Sequence, residues 1–476
     1  MKIWSKENNQ LLLLLLLTFL SVYLLPKVAN LFIFLVFLVI AYRSKADYLW
    51  LTWFFVINDA PGLLFSAGKI GDLRIPIYTI VPGISISFQD LFLSVYFLKA
   101  IFSRNHFSFV FKKEFIMFYL VGVVLFLYSL LLGMSVDINL HLIRAVLPWV
   151  WVMIVPCFID SQQQMIKVSR LLFPFVFLAL ASQIYTYITG SYWDNLLRGI
   201  GSDLVKITEN GEVSRSASAV YITFFLFVQS FFFFLWKNKI FSKYYLATII
   251  ITALLTIFFT ATRGWIIAFL FISLGALIFL SGNRIFKQTI RIGAIAVLLL
   301  LGLQYYFPIV KRQIKLSYER VSTLQTLAEG DITLGGTVSR MSERGPRVMS
   351  KVWESPIIGW GFSTDYFQYA DGHVGNQTIM LNVGILGYLY LTGLLFYFCY
   401  KIWVVSKKSY FNLKYGTASR IYLLGLLAVF IIHSSSTQFW GYDMGYDPLQ
   451  KTIFFAFYFA AVSVTFQKEN EPNQII

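Results

Sequence analysis

Apolar runs of about 20 residues, the length a helix needs to cross a hydrocarbon core of about 30 Å, recur along almost the whole of this 476-residue chain. They centre near residues 18, 35, 55, 95, 123, 151, 178, 227, 252, 272, 298, 393, 428 and 458. In lipid, each backbone N–H and C=O must be satisfied within the protein, which leaves helices or closed barrels as the only spanning structures. Runs this long and this apolar read as helices, so an all-α polytopic membrane protein of about 14 transmembrane helices is expected, with the segment near 55 open to a re-entrant reading. Composition agrees: 58% of residues are hydrophobic and only 13% charged, where a soluble domain carries about 25% charged. The run Leu11–Leu20 behind Lys2 and Lys6 lacks a small-x-small cleavage site and reads as a retained first helix.

The net charge of +16 has two sources. Every second connection carries clustered lysine and arginine: Arg43/Lys45, Arg104/Lys112/Lys113, Lys167/Arg170, Lys237/Lys239/Lys243, Arg284/Lys287/Arg291, and the set from Lys401 to Arg420. By the positive-inside bias these connections are cytoplasmic, and both termini lie inside. The remaining basic residues gather outside, in residues 189–217 and above all 309–383. The chain therefore divides into an N-terminal bundle of about eleven spans over 1–308, a long outer loop over 309–383 and about three spans over 384–476. A connection as long as the second is usually functional or disordered, and its periodicity argues for a partly helical loop. Ile314, Tyr318, Val321 and Leu324 recur at helical spacing.

Within that loop Arg340, Arg344, Arg347 and Lys351 fall on one helical face, with Val338, Met341, Val348 and Val352 on another. Gly345-Pro346 is expected to interrupt this helix by a kink or a division. Like charges one turn apart repel, so the basic face favours an anionic partner; the alternative is a solvated face partly neutralised by Glu343 and Glu354. Arg263 sits in the tight turn Thr260–Gly264 between two spans, and Arg144 and Arg215 lie at outer span ends. Each could snorkel to the interface or donate its planar fork to phosphate oxygens. His373 lies in Asp371-Gly372-His373, just before the twelfth span, where it could accept a proton from an attacking hydroxyl or be an ordinary loop residue. His433, ahead of Ser434–Gln438, is a candidate for lining a wet cavity or a helix contact.

No Walker-type loop, Asp-x-Asp pair or Cys/His cluster is present in the sequence, so the expected chemistry needs neither metal nor cofactor. The two cysteines, Cys157 and Cys399, fall within spans and suggest no disulfide framework. Nucleic acid is not an expected partner, because the outer basic residues are set among membrane spans.

The order Thr262-Arg263-Gly264, a long outer loop, Arg347-x5-Trp353-x2-Pro356-Ile357-Ile358-Gly359-Trp360-Gly361, His373, then Gly384-Ile385-Leu386-Gly387 resembles the O-antigen ligase and Wzy-type O-antigen polymerase superfamily over roughly residues 215–400. The resemblance implies a GT-C-like membrane glycosyltransferase at the periplasmic face of the bacterial inner membrane. Such an enzyme moves a glycan from undecaprenyl diphosphate to lipid A-core, to a second lipid-linked glycan, or to a protein hydroxyl. It also implies diphosphate binding by Arg263, Arg215 and Arg347, with Arg344 and Arg340 beside them, and activation of the acceptor by His373. Ser214-Arg215-Ser216 departs from the Asn-Pro-Asn-like stretch often found before the eighth span. A lipid-linked glycan flippase is the competing class; the sparse charge toward the inner half and the lack of an evident repeat between halves argue against it.

Overall fold

The computed structural model describes residues 5–59, 74–75, 86–102, 109–132, 146–189, 206–207, 213–215, 220–236, 240–260, 262–280, 343–407, 413–435, 438–442 and 448–466, with isolated helical positions between 298 and 318. Fifteen α-helices make up almost all of it: α1 Lys6–Leu24, α2 Lys27–Arg43, α3 Asp47–Asn58, α4 Phe88–Phe102, α5 Lys112–Leu131, α6 Trp151–Phe158 behind the 3₁₀ turn Leu147–Val150, α7 Gln162–Thr189, α8 Val220–Trp236, α9 Lys243–Phe259, α10 Arg263–Leu280, α11 Gly345–Val352, α12 Thr364–Tyr369, α13 Gly375–Ser406, α14 Leu413–Ser435 and α15 Pro448–Phe466. Two minimal antiparallel ladders accompany them, β1 Arg74–Ile75 with β2 Ile86–Ser87, and β3 Lys206–Ile207 with β4 Val213–Arg215.

Among the described residues, six helices are long and apolar enough to cross a membrane: α1, α5, α7, α13, and the greater part of α14 and α15. Five shorter apolar segments lie in α2, the Leu147–Phe158 turn-plus-helix, α8, α9 and α10. This is the make-up of a multi-pass membrane protein. Of the fourteen expected centres, all but one fall within a described helix, and Leu298 at the remaining one is itself helical.

Because the spans are apolar all round, sequence periodicity cannot say which face packs and which meets lipid. The packing decides it. Leu12, Leu13 and Leu16 of α1 and Met117, Val124 and Leu127 of α5 are exposed, while Phe224–Phe227 of α8 and Phe454–Phe459 of α15 are almost wholly buried. Aromatic rings interlock these inner helices, as in the stacked pairs Phe227–Phe269 at 4.3 Å and Phe55–Phe457 at 4.8 Å. Buried polar groups pair across helices, including Tyr422 Oη to Gln229 Oε1 at 2.7 Å and Trp53 Nε1 to Thr18 Oγ1 at 3.0 Å. Such bonds hold helices together where lipid supplies no hydrophobic drive.

The two ends of the bundle are distinct. At one, Lys99 bonds Asp47 and Lys401 bonds Glu114, all from the ends assigned to the inner face. At the other end of α5, about 22 Å away by helical rise from Glu114 to Ser129, Ser129 Oγ accepts the N–H of Phe362 at 2.8 Å. The long loop is anchored at this second end.

Candidate functional site

The loop is fastened to the bundle through a break in α13. That helix begins at Gly375, inside the expected loop, and carries Gly384 at φ 69°, ψ −179°, a conformation in practice open only to glycine. A regular helix would pair Ile385 N–H with Leu381 C=O and Leu386 N–H with Asn382 C=O. Here the loop supplies all four partners. Trp360 N–H donates to Leu381 O and Gly361 N–H to Asn382 O, both at 2.8 Å; Ile385 N–H donates to Pro356 O at 2.8 Å and Leu386 N–H to Ile357 O at 3.4 Å. Asn382 Nδ2 adds a bond to Gly361 O at 2.6 Å. The Pro-Ile-Ile-Gly-Trp-Gly and Gly-Ile-Leu-Gly stretches are thus the two halves of one backbone joint.

That joint positions α11. Gly345-Pro346 opens the α-helical part directly after a π turn at Glu343–Arg344, with the proline in the first turn, where its missing N–H costs nothing; residues 338–342, on which the expected kink or division also depends, lie outside the described ones. Val348 and Val352 are fully buried as expected; Val338, Met341 and Arg340 lie outside the described residues. Lys351 leaves the expected anion-facing set. It bonds Glu354 at 2.6 Å and Asp365 at 3.0 Å and lies 4.1 Å over the Trp360 ring. The hydrogen bond to Glu354 and then the pairing with Asp365 hold its pKa above the ordinary lysine value, against the effect of desolvation.

Arg344 and Arg347 do share a target, Asp371: Arg344 Nε lies 3.7 Å and Arg347 Nη2 3.6 Å from its Oδ2. The other oxygen, Oδ1, accepts the N–H of His373 at 2.9 Å. Thr378 in the first turn of α13 pins the same residue, donating from Oγ1 to Asp371 O at 2.7 Å. Two expected anion ligands and the backbone N–H of His373, the expected base, therefore meet at one carboxylate, Asp371. The Asp-Gly pair, with its tendency to cap nearby N–H groups, was the available signal.

The loop then rests on a buried turn, Gln438–Tyr442. Gln438 N–H donates to Gly372 O at 2.8 Å, and Asn376 Nδ2 reaches Ser434 Oγ at 3.0 Å. His433 holds this turn: its Nδ1 accepts the N–H of Phe439 at 3.0 Å and of Trp440 at 3.2 Å, so its proton sits on Nε2. The ring is 2% exposed and packs beside Gly375, where an added Cβ would approach Cε1 at 2.9 Å. His433 belongs to a helix contact, not to an open wall. Replacing it with Phe orphans two buried N–H groups at about 1–3 kcal/mol each; a lower thermal-denaturation midpoint in nanodiscs is the expected result.

Arg263 opens α10 and is half-buried. Its turn is built as expected: Thr260 and Thr262 are buried, and Thr260 Oγ1 bonds Ile257 O at 2.7 Å. Trp265, two residues on, packs edge-on against Phe439 at 5.4 Å. The Arg263 turn and the His373 loop accordingly dock on the same Gln438–Tyr442 turn. Arg215 ends β4, its backbone paired with Lys206, but its side chain lies outside the described residues, as does the whole of Arg144. Among the described residues no group of three or more His, Cys, Asp or Glu could hold a metal ion. No protein-family model matches the chain, and no curated protein matches it.

Proposed function

We propose that the chain is a membrane glycosyltransferase of O-antigen ligase type, moving a glycan from undecaprenyl diphosphate to an acceptor hydroxyl, on lipid A-core or on a second lipid-linked glycan, at the periplasmic face of the bacterial inner membrane. The observation that carries this reading is the docking of the Arg263 turn and the Arg344–Arg347–Asp371–His373 cluster on one buried turn at the outer ends of the spans. A diphosphate leaving group asks for preorganised positive charge, not protonation. In the step envisaged, the acceptor oxygen bonds the anomeric carbon and its proton passes to the His373 imidazole. The carbon–oxygen bond to phosphate breaks, and the electron pair leaves with the diphosphate, held by guanidinium groups. A single displacement inverts the anomeric centre; retention in the NMR spectrum of the product linkage would contradict it.

The polymerase reading shares the donor and its arginines, and differs only in the acceptor. Deleting the gene and resolving lipopolysaccharide on a gel separates the outcomes. Loss of the O-chain with intact core is expected for a ligase, and a single-repeat band marks a polymerase. Unchanged lipopolysaccharide excludes both for this glycan.

A further inference from the structure

We infer that Asp371 is a positioning residue that couples anion occupancy at Arg344 and Arg347 to the placement of His373. The inference rests on the functional reading above. One carboxylate serves both groups: Oδ2 faces the two guanidiniums and Oδ1 caps the His373 N–H. Asp371 is 12% exposed, whereas the Arg344 and Arg347 side chains are 40% and 50% exposed. Among the described residues it is the only carboxylate in ion-pair range of either. At 3.6–3.7 Å the contacts exceed hydrogen-bond length, so both guanidinium forks keep their N–H donors for a better acceptor. A diphosphate offers more oxygens and more charge, and it fits the planar forks. Its arrival sets negative charge beside Oδ2, weakening the hold of Asp371 on the arginines and shifting the carboxylate that carries His373. Donor binding is thereby sensed at the base.

The test uses the full-length protein in nanodiscs with inorganic pyrophosphate as the probe. Binding is read by calorimetry, and the placement of His373 by its rate of diethyl pyrocarbonate modification, resolved by peptide mass spectrometry. Pyrophosphate should bind the wild type and change the His373 rate. Asp371→Asn keeps an acceptor for the His373 N–H but removes the competing charge. It should bind pyrophosphate about three- to tenfold more tightly, the scale expected for exposed ion pairs, and lose the response at His373. Arg344→Gln with Arg347→Gln should abolish binding. Unchanged affinity in Asp371→Asn, or an undiminished His373 response, would overturn this inference alone. No binding by the wild type would overturn the functional reading of the arginines as well.

Discussion

His373→Ala should reduce glycan transfer by about 10²–10⁴-fold, the usual worth of a positioned general base, while the protein is made and inserted normally. The asymmetry follows from how the residue is held. The backbone of His373 is fixed by Asp371 Oδ1, and its neighbours Gly372 and Val374 are fixed by Gln438 N–H and Asp371 O. None of these bonds uses the imidazole. Removing the ring therefore leaves these backbone anchors in place and takes away the proton acceptor. Arg263→Ala should have an effect of similar size for a different reason, the loss of a cation where diphosphate charge develops. Assays in membranes with a lipid-linked donor, normalised to protein content, decide both. Wild-type transfer in both variants would refute the site assignment.

Much of the architecture was legible because the lipid environment permits few alternatives. An apolar run of spanning length can hardly be anything but a helix, and α5, α7 and α13 appear where their runs predict. The contacts expected on opposite faces, Glu114 with Lys401 and Ser129 with Phe362, sit at opposite ends of α5. The order of packing was not legible, since helices as uniformly apolar as α8 carry no stripe to read. The site was partly legible. Arginine spacing identified Arg344 and Arg347 as neighbours, but it also enrolled Lys351, which turns to Glu354, Asp365 and Trp360. A helical wheel assigns a direction; it cannot see a partner brought in from the next loop. The same limit hid Asp371, and hid the role of His433, whose two N–H donors, Phe439 and Trp440, lie across a turn that no periodicity describes.

Gly384→Val should abolish transfer without preventing insertion, and the reason lies in backbone bonding. At φ 69°, ψ −179° a branched side chain carries strain of about 1–3 kcal/mol. An added Cβ would also lie inside contact distance of the Ile357 carbonyl. The strain is relieved if the residue returns to helical angles, because Leu381 O and Asn382 O can then take back Ile385 N–H and Leu386 N–H. Each of the two bonds regained within α13 breaks two bonds to the loop. Trp360 N–H, Gly361 N–H, Pro356 O and Ile357 O would be stripped together, next to exposed Ile357, Ile358 and Leu386, where lipid offers no substitute acceptor. The loop must then withdraw, carrying α11 with Arg344 and Arg347 away from Asp371. The span itself should persist, since Ile385–Ser406 alone covers about 33 Å at helical rise. Limited proteolysis in nanodiscs reads the difference: new cleavage within residues 343–374 is expected, with α13 and α14 still protected. Gly359→Ala attacks the joint from the other side, because Gly359 has φ 70° and its added Cβ would meet Asn382 O at 2.7 Å. Wild-type cleavage patterns and activity in both variants would mean that the joint does not hold the loop over the bundle.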